Sequence, residues 1–569
     1  MKFKHLYILF LLLFGQVFST VAQYNQSLTN YTLLKNNPED LIPVTDLSLH
    51  TFALIVPDQE KYHPLINTLN RYADISVYTW DSFQENKNSF STLIAVFDDS
   101  DKEPFQALDD FRKLNAQSKK RIVLTFGAEW EDIRDEKSAV LWAANAHRTA
   151  QENMAMTVFG GLASTQGIKT EQTRIQYTFG KGSHFNVKKL EHKIDAIAEE
   201  AIQQKATPGM VIMVVKSGQV ILEKAYGNHT YDGAVSTKTN DIFDLASISK
   251  IVGTTPVIMH LSEENKLNLN LNIGDYLPEA RKTNKKDISL RTVLLHEAGF
   301  IPFIPFYKYL KPDDIVSKED EKHQTQIEEN VYLANDYYKN IMWPEMLQSK
   351  VNAPGKYVYS DISMYVMKEV AERITHQPMD EFVANFLYNR IGMKTAGYNP
   401  LERFAKERIV PTERDTAFRK TLIHGFVHDE GAALAGGTAG HAGLFSTAND
   451  LAIYAQMLLN RGKYGGIQYY EGETVDLYTS NQSLSSRRGL GFDRRDPNPE
   501  YEYPSKWANR SVFGHTGFTG TAIWIDPENQ LTYIFLSNRV HPERSGKLFE
   551  LNIRSRIQDA IYETINEVN

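Results

Sequence analysis

Ser247 and Lys250 stand three positions apart in the stretch 243–254. On a helix that spacing puts both side chains on one face, one turn apart. There a lysine amine can take the proton of a serine hydroxyl, the minimal pair for an acyl-serine mechanism. Ile248, Ile251 and Val252 supply apolar positions for a helix that starts here. A serine at such a start lies among unpaired backbone N–H groups that stabilise a developing oxyanion. S-x-x-K alone is a weak signal, so partners are needed. One is Tyr359, in Tyr357-Val-Tyr-Ser-Asp-Ile-Ser363. Its phenol can bond both serine and lysine and serve as acid or base toward the leaving group. A second is Gly514-His-Thr-Gly-Phe-Thr-Gly520, whose glycines let backbone approach a substrate and aim an N–H at the acyl oxygen. A third is the Gly-rich loop 434–446, ahead of a helix expected over 449–459.

A lysine ordinarily titrates near pH 10.4 and is charged at neutral pH. Lys250 can accept a proton if burial or a nearby positive charge lowers its pKa; otherwise Tyr359, as phenolate, takes the first proton. The residues leave both routes open.

The elements that must position these groups follow from the rest of the chain. Its 569 residues call for two or three domains. A net charge of −8, with no lysine/arginine stripe, excludes nucleic acid as partner. With no cysteine, disulfides, cysteine nucleophiles and thiolate zinc sites are excluded together. From 187 to 204 an amphipathic helix is expected, with Leu190, Ile194, Ile197 and Ala201 on one stripe. Strands 210–215 and 220–226 flank Ser217-Gly218, a hairpin signature. Strands 521–525 and 531–536 flank a second turn, and a last helix is expected over 547–567. Strands at both ends with helical sequence between them predict one antiparallel sheet, an inserted helical lobe, and a cleft between the two. The loop 300–309, broken by Pro302 and Pro305, is expected beside that cleft. His296 and His441 read as structural, and Asp361 is placed to cap a helix over 362–374.

Lys2 and Lys4, the apolar run 6–17 and the small residues 19–22 read as a secretory signal peptide, residues 1–22. The expectation is an exported protein, periplasmic or extracellular, with no membrane span left after cleavage. Residues 23–46 are polar and broken by Pro38 and Pro43, and read as an arm or linker. Short apolar runs at 51–56, 75–80, 92–97, 121–126 and 139–144, with an amphipathic helical stretch at 105–114, predict a small α/β domain over 47–185 with a mainly parallel sheet. That domain resembles the C-terminal α/β sandwich domain of family 3 glycoside hydrolases, best over 139–161. In that family the nucleophilic aspartate sits on a preceding barrel, and nothing before Thr51 is long enough to form one. A scaffold or docking role without glycosidase chemistry is expected.

S-x-x-K at Ser247, Tyr-Ser-Asp at Tyr359 and His-Thr-Gly at His515, in that order over 187–569, resemble the serine β-lactamase and penicillin-binding-protein superfamily. The branch is that of class C β-lactamases, D-alanyl-D-alanine peptidases and esterases. Supporting pieces are 292–300, 427–430 and 440–447. The resemblance implies Ser247 as acylated nucleophile, Lys250 as proton acceptor, and Tyr359 as proton shuttle and aid to the deacylating water. It implies an oxyanion hole from the N–H groups of Ser247 and Phe518. His515, Thr516, Gly517 and Asp361 would contact substrate, with no metal or organic cofactor. Two departures stand out: Asp361 where asparagine is usual, and His515 for the lysine of Lys-Thr-Gly. The expected activity is hydrolysis of an amide or ester through an acyl-serine, on a cell-wall peptide or D-amino-acid-containing substrate. Carboxylesterase or weak β-lactamase activity is the enzymatic alternative, and a non-catalytic sensor of wall fragments or penicillins the other.

Overall fold

The structure is a computed structural model and describes residues 31–36, 40–84, 89–99, 120–127, 138–182, 185–498 and 500–567. The segment 1–22 and the stretch 105–114 lie outside the described residues. The chain divides into two compact units, one of residues 1–177 with 390–392 and 465–467, the other of the remainder.

In the first unit six strands form one sheet. They are β1 (Tyr31–Asn36), β2 (Phe52–Ile55), β3 (Ile75–Tyr78), β4 (Thr92–Asp98), β5 (Lys120–Phe126) and β6 (Ser138–Ala143). The spatial order is β1-β6-β5-β4-β2-β3. Neighbours are parallel except β1, which pairs antiparallel with β6. The apolar runs β2 and β4 are buried along their whole length, as strands covered on both faces must be. Helices α1 (His63–Tyr72) and α2 (Arg148–Val158) belong to this unit. β1 corrects the reading of 23–46 as an arm: Tyr31 and Leu33 are buried on the sheet edge. Its last residue, Asn36, then closes a turn by bonding both the N–H and the C=O of Ile42, at 2.8 and 2.6 Å.

The second unit opens with α3 (Val187–Gln203) and the hairpin β7 (Gly209–Lys216) and β8 (Gln219–Gly227). Ser217 and Gly218 both take positive φ, 50° and 74°, as a two-residue turn matched to strand twist requires. The lobe follows, carrying α4 (Thr255–Glu263), α5 (Asp361–Thr375), α6 (Glu430–Leu434) and α7 (Ala448–Leu459). It also holds a three-stranded sheet over 315–333 that the sequence pattern did not suggest. The chain returns through β9 (Asp493–Arg494), β10 (Phe513–Thr516), β11 (Ala522–Asp526) and β12 (Leu531–Ser537). The antiparallel sheet has the order β9-β10-β11-β12-β7-β8, so both chain ends build it. The last helical stretch is two pieces, Lys547–Glu550 and α8 (Ile553–Asn566), because Asn552 takes φ 50°. Leu190 and Ile194 of α3 and Ile557 and Ile561 of α8 cover one sheet face together with Ile212 and Tyr533. Every residue of α7 is buried, which is why nine of its twelve residues are apolar and only Asn449, Asp450 and Gln456 are polar.

Candidate active site

Ser247 occupies a single 3₁₀ turn, Ala246–Ile248, rather than an α-helix. Ala246 is held at φ 46°, and its N–H donates to the buried Asp244 carboxylate at 2.8 Å. A π-helical turn, Lys250–Thr254, leads into α4. Pro256, at the start of α4, has no N–H to offer the carbonyl four residues back. Buried phenols take over: Tyr388 donates to the Val252 carbonyl at 2.8 Å and Tyr454 to that of Ile251 at 2.6 Å. This wide turn carries Lys250 fully inside, at 0% exposure.

All three Lys250 protons are engaged: Nζ donates to Ser247 Oγ at 3.0 Å, to Asp361 Oδ1 at 2.9 Å and to the His441 carbonyl at 3.2 Å. Tyr359 donates its hydroxyl to Ser247 Oγ at 2.9 Å, and its ring lies 4.8 Å from the Lys250 ammonium. The three residues from distant parts of the chain therefore meet at one oxygen. Tyr359 is fixed from behind by His296, whose ring centroid lies 4.7 Å away and whose Nδ1 accepts the Ser360 N–H at 3.2 Å. Burial, then Arg488 and Lys250, hold His296 neutral, so its part is structural.

Burial alone would push the Lys250 amine down, but the Asp361 carboxylate and Tyr359 outweigh it and raise its pKa. The lowering that the lysine route calls for is not met in this arrangement, because the group beside Lys250 is an anion where the requirement was for a cation. Asp361 is also not a helix cap. Ser360 holds that position, Asp361 is the first residue of α5, and its side chain is spent on Lys250.

His515 departs further from expectation. It is 3% exposed, its Nδ1 donates to the Thr516 carbonyl at 2.7 Å, and Arg488 donates to its Nε2 at 3.2 Å. Burial and then Arg488 push its pKa down to about 3. A neutral, enclosed imidazole has no charge to offer a substrate carboxylate. Gly517 allows a close approach within the fold, since a Cβ there would lie 2.4 Å from the Leu245 carbonyl oxygen. Thr519 and Thr521 donate to the carbonyls of Asp244 and Leu245 at 2.8 and 3.1 Å, stitching the end of β10 to the serine loop.

Ser247 and Phe518 line a cavity of about 360 Å³ together with Tyr359 and Asp361. His515, Thr516 and Gly517 do not line it, so of the four residues expected on substrate only Asp361 does. The backbone N–H groups of Ser247 and Phe518 donate to no acceptor among the described residues. Phe303, Pro305 and Tyr307 place the loop 300–309 at this cavity, as its prolines suggested. Sequence reasoning missed Arg488, which bonds the Tyr357 hydroxyl at 2.8 Å beneath the site. It also missed Asp429 and Tyr365 on the cavity wall. The pairing of Asp429 with His441 Nε2 at 2.9 Å was traceable only to the fragment 427–430. A proton acceptor, a hydroxyl and two unspent N–H groups at one cavity can carry acyl transfer.

The family model described as Beta-lactamase matches residues 194–555. An N-acetylmuramyl-L-alanine amidase of Bacillus subtilis (strain 168) is 32% identical over 399 residues, covering 65% of this chain and 86% of the relative. An Escherichia coli (strain K12) protein bearing the name of a D-alanyl-D-alanine carboxypeptidase is 30% identical over 395 residues, covering 64% and 87%. Among solved structures, a penicillin-binding protein homolog from Caulobacter crescentus aligns with TM-score 0.49 at 17% identity, over 66% of this chain and 97% of that one.

Proposed function

The chain belongs to the β-lactamase family, and on that premise we propose an exported serine hydrolase that cleaves an amide of a cell-wall peptide through an acyl-Ser247 intermediate. The observation that carries this reading is Ser247 Oγ receiving both the Lys250 ammonium and the Tyr359 hydroxyl, at 3.0 and 2.9 Å, on the wall of a cavity.

In the proposed reaction Ser247 Oγ attacks the carbonyl carbon while its proton passes to Lys250 in its free-base form, a minority that grows with pH. The oxyanion is held by the N–H groups of Ser247 and Phe518. Tyr359 delivers a proton to the departing amine and recovers one from Lys250, the C–N bond breaks, and water then takes the acyl group while its proton returns to Ser247 Oγ. Export is proposed from the basic start and apolar run of residues 1–22. Among the described residues no helix is long and apolar enough to cross a membrane. A docking role is proposed for the α/β unit.

A second reading concerns which amide. A terminal-carboxylate substrate needs a cation. His515 is neutral, and Arg544 on the cavity wall is paired with Glu413 and Glu430 at 2.9 and 2.7 Å. That favours an amide within a muropeptide, the class named for the Bacillus relative, over a C-terminal D-alanine. The test is product analysis by mass spectrometry on muropeptides ending in D-alanyl-D-alanine, with wild type and Ser247→Ala. Loss of the peptide from the sugar supports the muramyl-amide reading, and loss of one terminal D-alanine alone supports the carboxypeptidase. No Ser247-dependent product from any wall peptide rejects both.

A further inference from the structure

One wall of the cavity offers more acceptors than the chemistry above uses. The donor atoms of Asp361, Asp429 and His441 lie within 4.8 Å of one another. One oxygen of each carboxylate is in use: Asp361 Oδ1 takes Lys250, and Asp429 Oδ1 takes the Ala432 N–H and His441 Nε2. The second oxygens, Asp361 Oδ2 and Asp429 Oδ2, accept no hydrogen bond among the described residues. Tyr365 lines the same wall at 4% exposure, and its buried hydroxyl has no hydrogen-bond partner among the described residues. Burial and then the Asp429 and Asp361 carboxylates push that phenol's pKa well up, so it stays neutral. A Cβ on residue 431 would lie 2.9 Å from Tyr365 Oη and 3.3 Å from Asp429 Oδ1, so the space between those two oxygens is kept open by Gly431.

We propose that Asp361, Asp429 and Tyr365 form a subsite for a primary ammonium group that the substrate carries beside the bond to be cleaved. An ammonium has three donors and one positive charge, and the wall offers three oxygens, two of them anionic. Lys250 bridges Ser247 Oγ and Asp361 Oδ1 at 3.0 and 2.9 Å, so the subsite lies two hydrogen bonds from the nucleophile. That reach is about one residue of peptide. A divalent cation fits less well, because the Lys250 ammonium on Asp361 repels a double charge about twice as strongly as it repels an ammonium. An ammonium accepted by Asp361 also weakens that carboxylate's hold on Lys250, favouring the free base only when substrate is in place. The proposal rests on the acyl-serine reading, and an α-amine and the side-chain amine of a diamino acid share the chemistry.

The test competes hydrolysis of p-nitrophenyl acetate by the full chain with four soluble amides: alaninamide, Nα-acetylalaninamide, Nα-acetyl-lysinamide and Nα,Nε-diacetyl-lysinamide. In one pair the free amine should inhibit at a concentration at least ten-fold lower than its acetylated partner. The first pair reports an α-amine and the second a side-chain amine. That ratio, taken within each variant, should fall toward one in Asp429→Asn and in Gly431→Ala, both checked for folding by circular dichroism. Gly431 has ordinary helical backbone, so alanine adds no backbone strain, and its Cβ must push the Tyr365 hydroxyl aside. Equal inhibition within both pairs for wild type, a ratio retained in both variants, or calorimetric Zn²⁺ or Mg²⁺ binding lost in Asp429→Asn would overturn the proposal. If wild type fails to turn over the ester, the acyl-serine reading falls, and the amine preference is then read by calorimetry with the same four amides.

Discussion

Replacing Asp361 with asparagine should let the enzyme work at lower pH. Lys250 Nζ and Asp361 Oδ1 are 2.9 Å apart, with the lysine side chain fully buried and the aspartate side chain 24% exposed. Two unit charges at that distance interact by about 6 kcal/mol at an effective dielectric constant near 20. An amide of the same shape keeps a hydrogen bond but not the charge, and retains about 1 kcal/mol. Water reaching Asp361 screens part of the difference. Even three-tenths of it, roughly 1.4 kcal/mol, means ten-fold more free-base Lys250 at any pH below its titration. The sign follows from the carboxylate raising the lysine pKa in the native site. The assay is the pH dependence of kcat/KM for p-nitrophenyl acetate, which carries no ammonium and so bypasses the proposed subsite. The variant's kcat/KM should exceed the wild type's about ten-fold at pH 6 and at pH 9 alike, the ratio falling toward one only where the lysine itself titrates. Superimposable profiles would refute the assignment of Asp361 as the group that holds Lys250 charged, and loss of activity at every pH would show that it does more.

Tyr359→Phe removes the hydroxyl that bonds Ser247 while keeping the ring that packs on His296. kcat for an amide should fall by about 10²–10⁴, with circular dichroism unchanged. His515 titrates near 3 in the fold against about 6.5 when exposed, so the unfolded chain binds the extra proton in between. Stability should therefore be level above pH 6.5 and fall with acid toward pH 3, at up to about 1.4 kcal/mol per pH unit from this group. Urea unfolding at pH 7 and pH 5 measures that slope, which should shrink in His515→Gln. Ile534, fully buried in β12 opposite Met213, should cost about 2–5 kcal/mol when cut to alanine, read from the urea midpoint.

The sheet of the second unit was readable because β7, β8, β11 and β12 are apolar runs that end at turn residues such as Ser217-Gly218. The edge strand β1 was not, since Thr32, Lys35 and Asn36 dilute a run of six residues whose burial is decided by pairing with β6. The break before α8 escaped notice because an asparagine at φ 50° leaves the apolar spacing on either side intact. Residue types gave the meeting of Ser247, Lys250 and Tyr359, but not their charge states. Those depend on Asp361, 111 positions from Lys250, and on Arg488, 27 positions from His515. The acceptor-rich wall was hidden for the same reason: Tyr365, Asp429 and His441 carry no joint spacing, and only the fold brings α5, the start of α6 and the Gly-rich loop together.

The most direct test is to expose the full chain to a fluorescent penicillin and to p-nitrophenyl acetate, quench, digest, and find the modified peptide by mass spectrometry. The account predicts an acyl group on Ser247 and no adduct or turnover in Ser247→Ala. An adduct on another residue, or turnover that survives the substitution, would contradict it.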